Sequence, residues 1–209
     1  MNPDEVSSRL NALLTAAGQG PLDGAAAKKF AEYISLFIRW NERLNLSAIR
    51  DEESIISRHL IESIIVAINL PSGVSTLLDF GSGGGLPGIP IALCRPGIAV
   101  TLAESQGKKA AFLQEAVRVL GLSARVHSGR AETIEQIFDC VVLRAVDKMP
   151  KAVGQAARLV AQGGWLALMT TQGDLPQLES AAGEGFFFAP GRPLPGSTER
   201  VLALAQRMR

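Results

Sequence analysis

Behind a short apolar run the chain reads Asp79-Phe80-Gly81-Ser82-Gly83-Gly84-Gly85-Leu86-Pro87-Gly88. An acidic side chain followed by alternating glycines suits a nucleotide-type cofactor. Glycine lacks a Cβ and tolerates the positive φ that a tight turn and close backbone approach require. Two patterns overlap here. Gly81-Ser-Gly83-Gly-Gly85 fits the loop that receives S-adenosylmethionine, whereas Gly83 to Gly88 satisfies the G-x-G-x-x-G of dinucleotide binding. The register favours the first, because the strand LLDF feeds directly into Gly81.

Glu104 closes the run AVTLAE, about 20 residues beyond the glycines, where a carboxylate at a strand tip accepts hydrogen bonds from both ribose hydroxyls. NAD would use the same anchor, but the extra phosphate of NADP would meet a like charge. Arg130-Ala131-Glu132 follows ARVHS and is expected to face the adenine, against the alternative of a helix turn whose Glu132 favours the dipole. Arg144 follows the run FDCVVL at the end of a predicted strand, the edge at which ligands of parallel sheets bind. Its guanidinium can donate to a base oxygen, a phosphate or the cofactor carboxylate; the alternative is a surface ion pair with Asp147 or Glu104. With two histidines in the chain and no Ser/His/Asp or Cys/His set, no acid–base or nucleophilic machinery is visible. His59, beside Arg58, is a candidate substrate contact, weighed against a histidine that satisfies a neighbouring carbonyl. Trp40 reads as a packing residue rather than a stacking platform.

These residues need a scaffold. Up to residue 70 the apolar periodicity is helical, with Gly18 a stop after the stripe Val6, Leu10, Leu13, Leu14 and Ala17. A second helix is predicted from about Asp23 to Arg43 and a third from Asp51 to before Pro71. Strand-like and helical runs then alternate, which implies a parallel sheet covered on both faces. Helices are predicted from about Ile89, over 108–120, 150–161 and 175–182. FFFAP and ERVLALAQR leave no room for a crossover and should pair antiparallel. A seven-stranded, mostly parallel sheet with one reversed hairpin strand resembles the Rossmann-like architecture of class I S-adenosylmethionine-dependent methyltransferases. The division expected is a helical section, 1–70, and a cofactor-binding domain, 71–209, in one compact unit.

The 209 residues are 47% apolar and carry a net charge of +1, so the chain advertises no global basic field and any RNA face must be a local patch. Cys94 and Cys140 lie in apolar segments and read as free buried thiols of a reducing cytoplasm. No secretory signal is visible at the start, and the greasy stretch 55–70 is too short and too charged to span a bilayer. No metal site is expected.

Trp40-Asn41-Glu-Arg-Leu-Asn45-Leu46, Arg58-His59-Leu-Ile-Glu62-Ser63, Gly81 to Pro90 and Leu143-Arg144-Ala145 occur in that order. Together they closely resemble the glucose-inhibited division protein B family, bacterial methyltransferases that modify guanine N7 in small-subunit (16S) ribosomal RNA. The LPGIP run after the glycines is the most specific part. The resemblance implies S-adenosylmethionine contacts at Gly81, Leu86, Ala131, Glu132 and Arg144, with Glu104 on the ribose; Gly83 and Gly85 join Gly81 as the turning glycines expected beneath the cofactor. It also implies that the helical section with Arg58-His59 sits beside the pocket mouth; on the residues themselves, Arg144 and His59 are the expected catalytic positions, and Arg58, Arg130 and Lys148 the expected contacts to the RNA of the small subunit. A cytoplasmic monomer that uses no membrane is expected. One position departs: the family commonly carries a lysine just after the fifth strand, where this chain reads Leu168-Met169-Thr170-Thr171. Guanine N7 offers a lone pair with no proton to remove, so the task reduces to in-line positioning of an already activated methyl. The alternatives are a class I methyltransferase for a small molecule or protein, and a cofactor-binding protein with weak or no catalysis. A mobile cap would favour a small substrate, whereas an open mouth rimmed by arginines would favour RNA.

Overall fold

The computed structural model describes residues 2–208. Four helices come first: α1 (Pro3–Ala16), α2 (Gly24–Leu44), α3 (Glu52–Ser54) and α4 (Ile61–Asn69). Local chemistry sets their ends. Asn2 and Glu5 form a capping box on α1, Asp23 accepts the Ala26 N–H at the start of α2, and Asn45 closes α2 in the left-handed region at φ 50°. The third predicted helix is not regular. A π-helical turn, Ile55–Leu60, joins α3 to α4 and carries Arg58 and His59. Such turns insert one extra residue and are frequent at functional sites.

The sheet is built from β1 (Thr76–Phe80), β2 (Ala99–Ala103), β3 (Arg125–His127), β4 (Phe138–Arg144), β5 (Val160–Thr171), β6 (Phe186–Phe188), β7 (Arg192–Pro193) and β8 (Arg200–Arg207). Between them lie α5 (Gly88–Cys94), α6 (Gly107–Val119), α7 (Met149–Ala156) and α8 (Leu175–Ala182). Strand order is β3-β2-β1-β4-β5-β8-β6, with β8 antiparallel to both β5 and β6. The seven expected strands are joined by an eighth, the two-residue β7, which pairs with β8. A second correction concerns the helix predicted over 150–161. It stops at Ala156, a 3₁₀ turn follows over Ala157–Leu159, and Val160 already pairs with Phe138. Burial of Val160 in the sheet overrides the helical preference of the alanine-rich run.

Alternation along the strands divides the interior in two. Leu77, Cys140, Val142 and Leu102 join the first core with α1, α2, the π turn, α4, α5 and α6. Leu78, Val141, Leu143 and Leu166 face the second core with α7 and α8. Aromatic edges run from Tyr33 to Phe37 to Phe112 to Trp40, so α2 is locked against α6, and Trp40 packs as expected. Burial pushes both free thiols, Cys94 and Cys140, up to about 12. Among the described residues no helix is long and apolar enough to cross a membrane. What matters for function is that β1 sits between β2 and β4. The C-terminal ends of all three strands therefore open on one edge, where the strand order reverses and ligands of such sheets bind.

Candidate cofactor and substrate site

At that edge β1 gives way to the glycine loop. The N–H groups of Gly81 and Ser82 both donate to the Ala103 carbonyl, at 3.1 and 2.9 Å, tying the loop to the end of β2. Gly81 and Gly83 have φ values of 77° and 54°, which L side chains rarely adopt. Other glycines serve packing. A Cβ on Gly88 would lie 2.3 Å from Leu102 Cδ2 and 2.5 Å from Asp79 Oδ2, and one on Gly84 would lie 2.5 Å from the Phe37 ring. Asp79 is fully buried and accepts the Gly88 N–H at 3.0 Å. Burial raises its carboxyl to about 7, against the lowering effect of its hydrogen bonds from Gly88 and Ser82. Tyr33 Oη donates to the Gly84 carbonyl at 2.5 Å, so α2 also grips the loop.

Three cavities lie side by side at this edge, and the first two border the loop. The first, about 390 Å³, is walled by Gly81, Glu104, Ala131, Glu132, Val146 and Lys148. The Glu104 carboxylate stands at the tip of β2, accepting Gly83 N–H at 2.9 Å and Gln106 N–H at 2.7 Å. Ala131 is buried in the wall, whereas Arg130 and Glu132 pair at 3.3 Å on the rim. The second, about 480 Å³, shares Gly81, Glu104 and Val146 with the first and adds Gly83, Leu86, Ser47, His59 and Arg144. Gly85 lies buried behind this wall, where its φ of 83° turns the chain beneath Ile89. The third, about 370 Å³, shares His59, Arg144 and Ala145 with the second and adds Arg58, Glu62, Thr170, Thr171 and Arg200. Neighbouring cavities thus share walls in a row, here called the trough, and Arg144 stands in the wall common to the second and third. The glycine-loop half offers a wall of mostly backbone, from Gly81, Gly83 and Gly84, with the Glu104 carboxylate beside it, a lining that suits a nucleoside.

Arg144 is not the surface residue of the alternative reading. Its partner is neither Asp147 nor Glu104 but Glu62, at 3.1 Å, and its side chain is only 14% exposed. Nη1 donates to the His59 carbonyl and to Ser63 Oγ, and Nη2 donates to Glu62 and to His59 Nδ1 at 2.7 Å. Burial lowers the guanidinium from its ordinary value and the Glu62 charge opposes this. Glu62 also receives Arg200 Nε at 2.6 Å, so one buried carboxylate serves two arginines. His59 is pressed down to about 3, first by burial and then by Arg144, Arg58 and Arg200. Its imidazole is neutral at pH 7, and its other nitrogen contacts Ser47 Oγ at 2.7 Å. Just beyond Arg144, Ala145 is held at φ 48°, an uncommon conformation for alanine at the junction of two cavities.

Of the residues singled out in the sequence, Gly81, Gly83, Leu86, Glu104, His59 and Arg144 converge on the middle of the trough. Arg58 borders the third cavity, while Arg130 and Lys148 border the first. Sequence reasoning missed Ser47, Glu62, Arg200 and Tyr33. The spacing of His59 and Glu62 does put them on one helical face, but no linear signal joins Arg200 to them.

The sequence model of the family described as "GidB: rRNA small subunit methyltransferase G" matches residues 26–186. A protein of Neisseria meningitidis named "Ribosomal RNA small subunit methyltransferase G" is 42% identical over 84% of this chain and 84% of its own. One of the same name from Xanthomonas campestris is 40% identical over 86% of this chain and 83% of its own. Among solved structures, the mitomycin 7-O-methyltransferase superposes with a TM-score of 0.63 at 16% identity, covering 96% of this chain and 66% of that one. A Thermus thermophilus 16S rRNA N2 G1207 methyltransferase, in complex with AdoMet and guanosine, gives 0.55 at 16% identity over 73% and 40%. These structural likenesses establish the fold, that of class I S-adenosylmethionine-dependent methyltransferases.

Proposed function

The chain belongs to the rRNA small subunit methyltransferase G family, and on that premise we propose that it methylates N7 of a guanine in 16S ribosomal RNA. S-adenosylmethionine is the cofactor, and it supplies a methyl group already activated by the sulfonium charge. The observation that carries the reading is the cavity in whose wall the glycine loop and Glu104 meet Arg144. On this reading Glu104 takes the ribose, Gly81, Gly83 and Leu86 border the amino-acid end, and Ala131 with Glu132 border the base. Gly85 gives the loop its turn.

The nucleophile brings its own lone pair, so the residues of this chain have a positioning task and no proton to move. His59 fits that requirement. Neutral, and engaged at both ring nitrogens, it holds Arg144 rather than serving as a base. Four of the five N–H groups of Arg144 are committed to His59, Ser63 and Glu62, which leaves Nε–H to meet a substrate acceptor. Arg58, Arg130 and Lys148, on either side of the trough, contact RNA phosphates. The enzyme acts as a cytoplasmic monomer, and a free lone pair requires no metal.

The test is transfer from labelled S-adenosylmethionine to small ribosomal subunits that lack the modification. Borohydride and aniline then cleave the RNA wherever guanine N7 is methylated. Label at one guanine of 16S RNA, cleavable in this way, is the expected result. Label on protein only, or at an uncleavable position, overturns the proposal.

A further inference from the structure

The motif Trp40-Asn41 to Asn45-Leu46 has so far had no chemical role, and the structure supplies one. Asn41 is buried, with Oδ1 accepting the Ser47 N–H at 2.8 Å and Nδ2 donating to the Ile49 carbonyl at 3.0 Å. Those two bonds fix the loop after α2 so that Ser47 Oγ accepts the Ile49 N–H at 3.1 Å and meets His59 Nε2 at 2.7 Å. The direction of that last bond is decided one residue away. A guanidinium has donors and no acceptor, so His59 Nδ1, facing Arg144 Nη2 at 2.7 Å, accepts. A neutral ring then carries its hydrogen on Nε2 and donates it to Ser47; the depression of His59 to about 3 keeps the ring neutral at pH 7. Both lone pairs of Ser47 Oγ are thereby occupied. Its own hydrogen is left to donate, from a side chain that lines the cavity shared by the glycine loop and Arg144.

We propose that Ser47 is a specificity-determining residue whose hydroxyl donates to O6 of the target guanine; this rests on the function proposed above. Guanine presents two acceptors, N7 and O6, on its major-groove edge, whereas adenine presents the N7 acceptor beside an N6 donor. An ordinary serine would accommodate either base by rotating its hydroxyl. This one cannot accept, because Ile49 and His59 already fill its lone pairs, so it meets guanine and leaves adenine N6–H unpaired. Arg144 and His59 act here as positioning residues that set the polarity of the chain.

A paired deletion of the two groups tests this. Small subunits are reconstituted with 16S RNA carrying 2-aminopurine, which keeps N7 and lacks O6, at the position that is methylated. With the wild-type enzyme the base change is expected to slow transfer about tenfold, and Ser47→Ala to slow transfer to guanine by a similar factor. The two losses should not multiply: Ser47→Ala acting on 2-aminopurine should be no slower than either alteration alone. Ser47→Thr, which keeps the hydroxyl, should restore discrimination, and S-adenosylmethionine affinity should stay within twofold in both variants. Losses that multiply, or a Ser47→Ala enzyme that still slows tenfold on loss of O6, overturn the assignment while leaving guanine methylation intact. Failure of the wild-type enzyme to label any guanine N7 instead removes the underlying function and the proposal with it.

Discussion

Replacing Glu62 is the sharpest perturbation of the buried network. Its side chain is 2% exposed and is bonded at 3.1 Å to Arg144 and at 2.6 Å to Arg200, themselves 14% and 28% exposed. At an effective dielectric near 20, each pair contributes about 4 kcal/mol of gross attraction. Withdrawal of three charges from water offsets most of that, so the intact triad is worth little net. The asymmetry appears when one member goes. In Glu62→Gln two guanidinium groups face each other across the same space with no counter-charge, and breaking a buried pair in this way costs about 3–5 kcal/mol. For a chain of this size that corresponds to a fall of roughly 10 °C in Tm. Urea and thermal melts read it directly, and the loss should change little between 0.1 and 1 M salt because the pair is shielded from the ionic atmosphere. A companion variant, Glu62→Leu with Arg144→Met and Arg200→Met, should recover most of the stability while losing methyl transfer. If Glu62→Gln melts within 2 °C of the wild type, the argument that Glu62 neutralises both arginines is refuted.

Arg144→Ala should behave differently, because Glu62 keeps Arg200: the fold and S-adenosylmethionine binding survive, while transfer falls on the order of 100-fold from lost positioning, as measured by single-turnover labelling. Gly88→Ala places a Cβ 2.3 Å from Leu102 Cδ2 and 2.5 Å from Asp79 Oδ2. An overpacking loss of about 1–3 kcal/mol is expected in denaturant melts, whereas Gly97→Ala, with nothing within 4 Å, should be neutral. Asp79 gives a pH signature. Its folded value of about 7 lies above the ordinary 3.8, so its contribution is fully present below pH 4 and is lost as pH rises through 7. Asp79→Asn, which cannot ionise, should therefore gain on the wild type between pH 4 and pH 8, by roughly 2–4 kcal/mol. A stability difference that stays constant over that range would show that Asp79 titrates normally.

Much of this architecture was legible because local rules and tertiary context agree. The glycines at 81 and 83 occupy positive-φ positions, Asp23 and Gly18 bound helices, and FFFAP pairs antiparallel with ERVLALAQR. Where the sequence misleads, long-range pairing has overruled local preference. Ala157 to Ala161 reads as helix, yet Val160 is drawn into the sheet by Phe138. The π turn at Ile55–Leu60 is invisible because its residues keep an ordinary helical pattern. The site divides the same way. Glu104 is found from its distance to the glycines, since both belong to one strand–helix–strand unit. The Arg144 partnership with Glu62 is not, because the two residues lie 82 positions apart and meet only when α4 docks against the sheet.

That docking explains why the N-terminal helices are more than a cover. Tyr33 holds the carbonyl of Gly84 and the Phe37 ring fills the space a Cβ on Gly84 would need, so α2 shapes the glycine loop itself. The segment after α2 brings Ser47, and the π turn and α4 bring His59 and Glu62 against an arginine that ends β4. On the proposed reading, cofactor binding draws mainly on the ends of β1 and β2, and substrate reading on the seam between those helices and β4. A reaction that needs no proton transfer can be built this way. Its demands are fixed distances and a fixed hydrogen-bond polarity, and a neutral histidine locked between a guanidinium and a serine meets both.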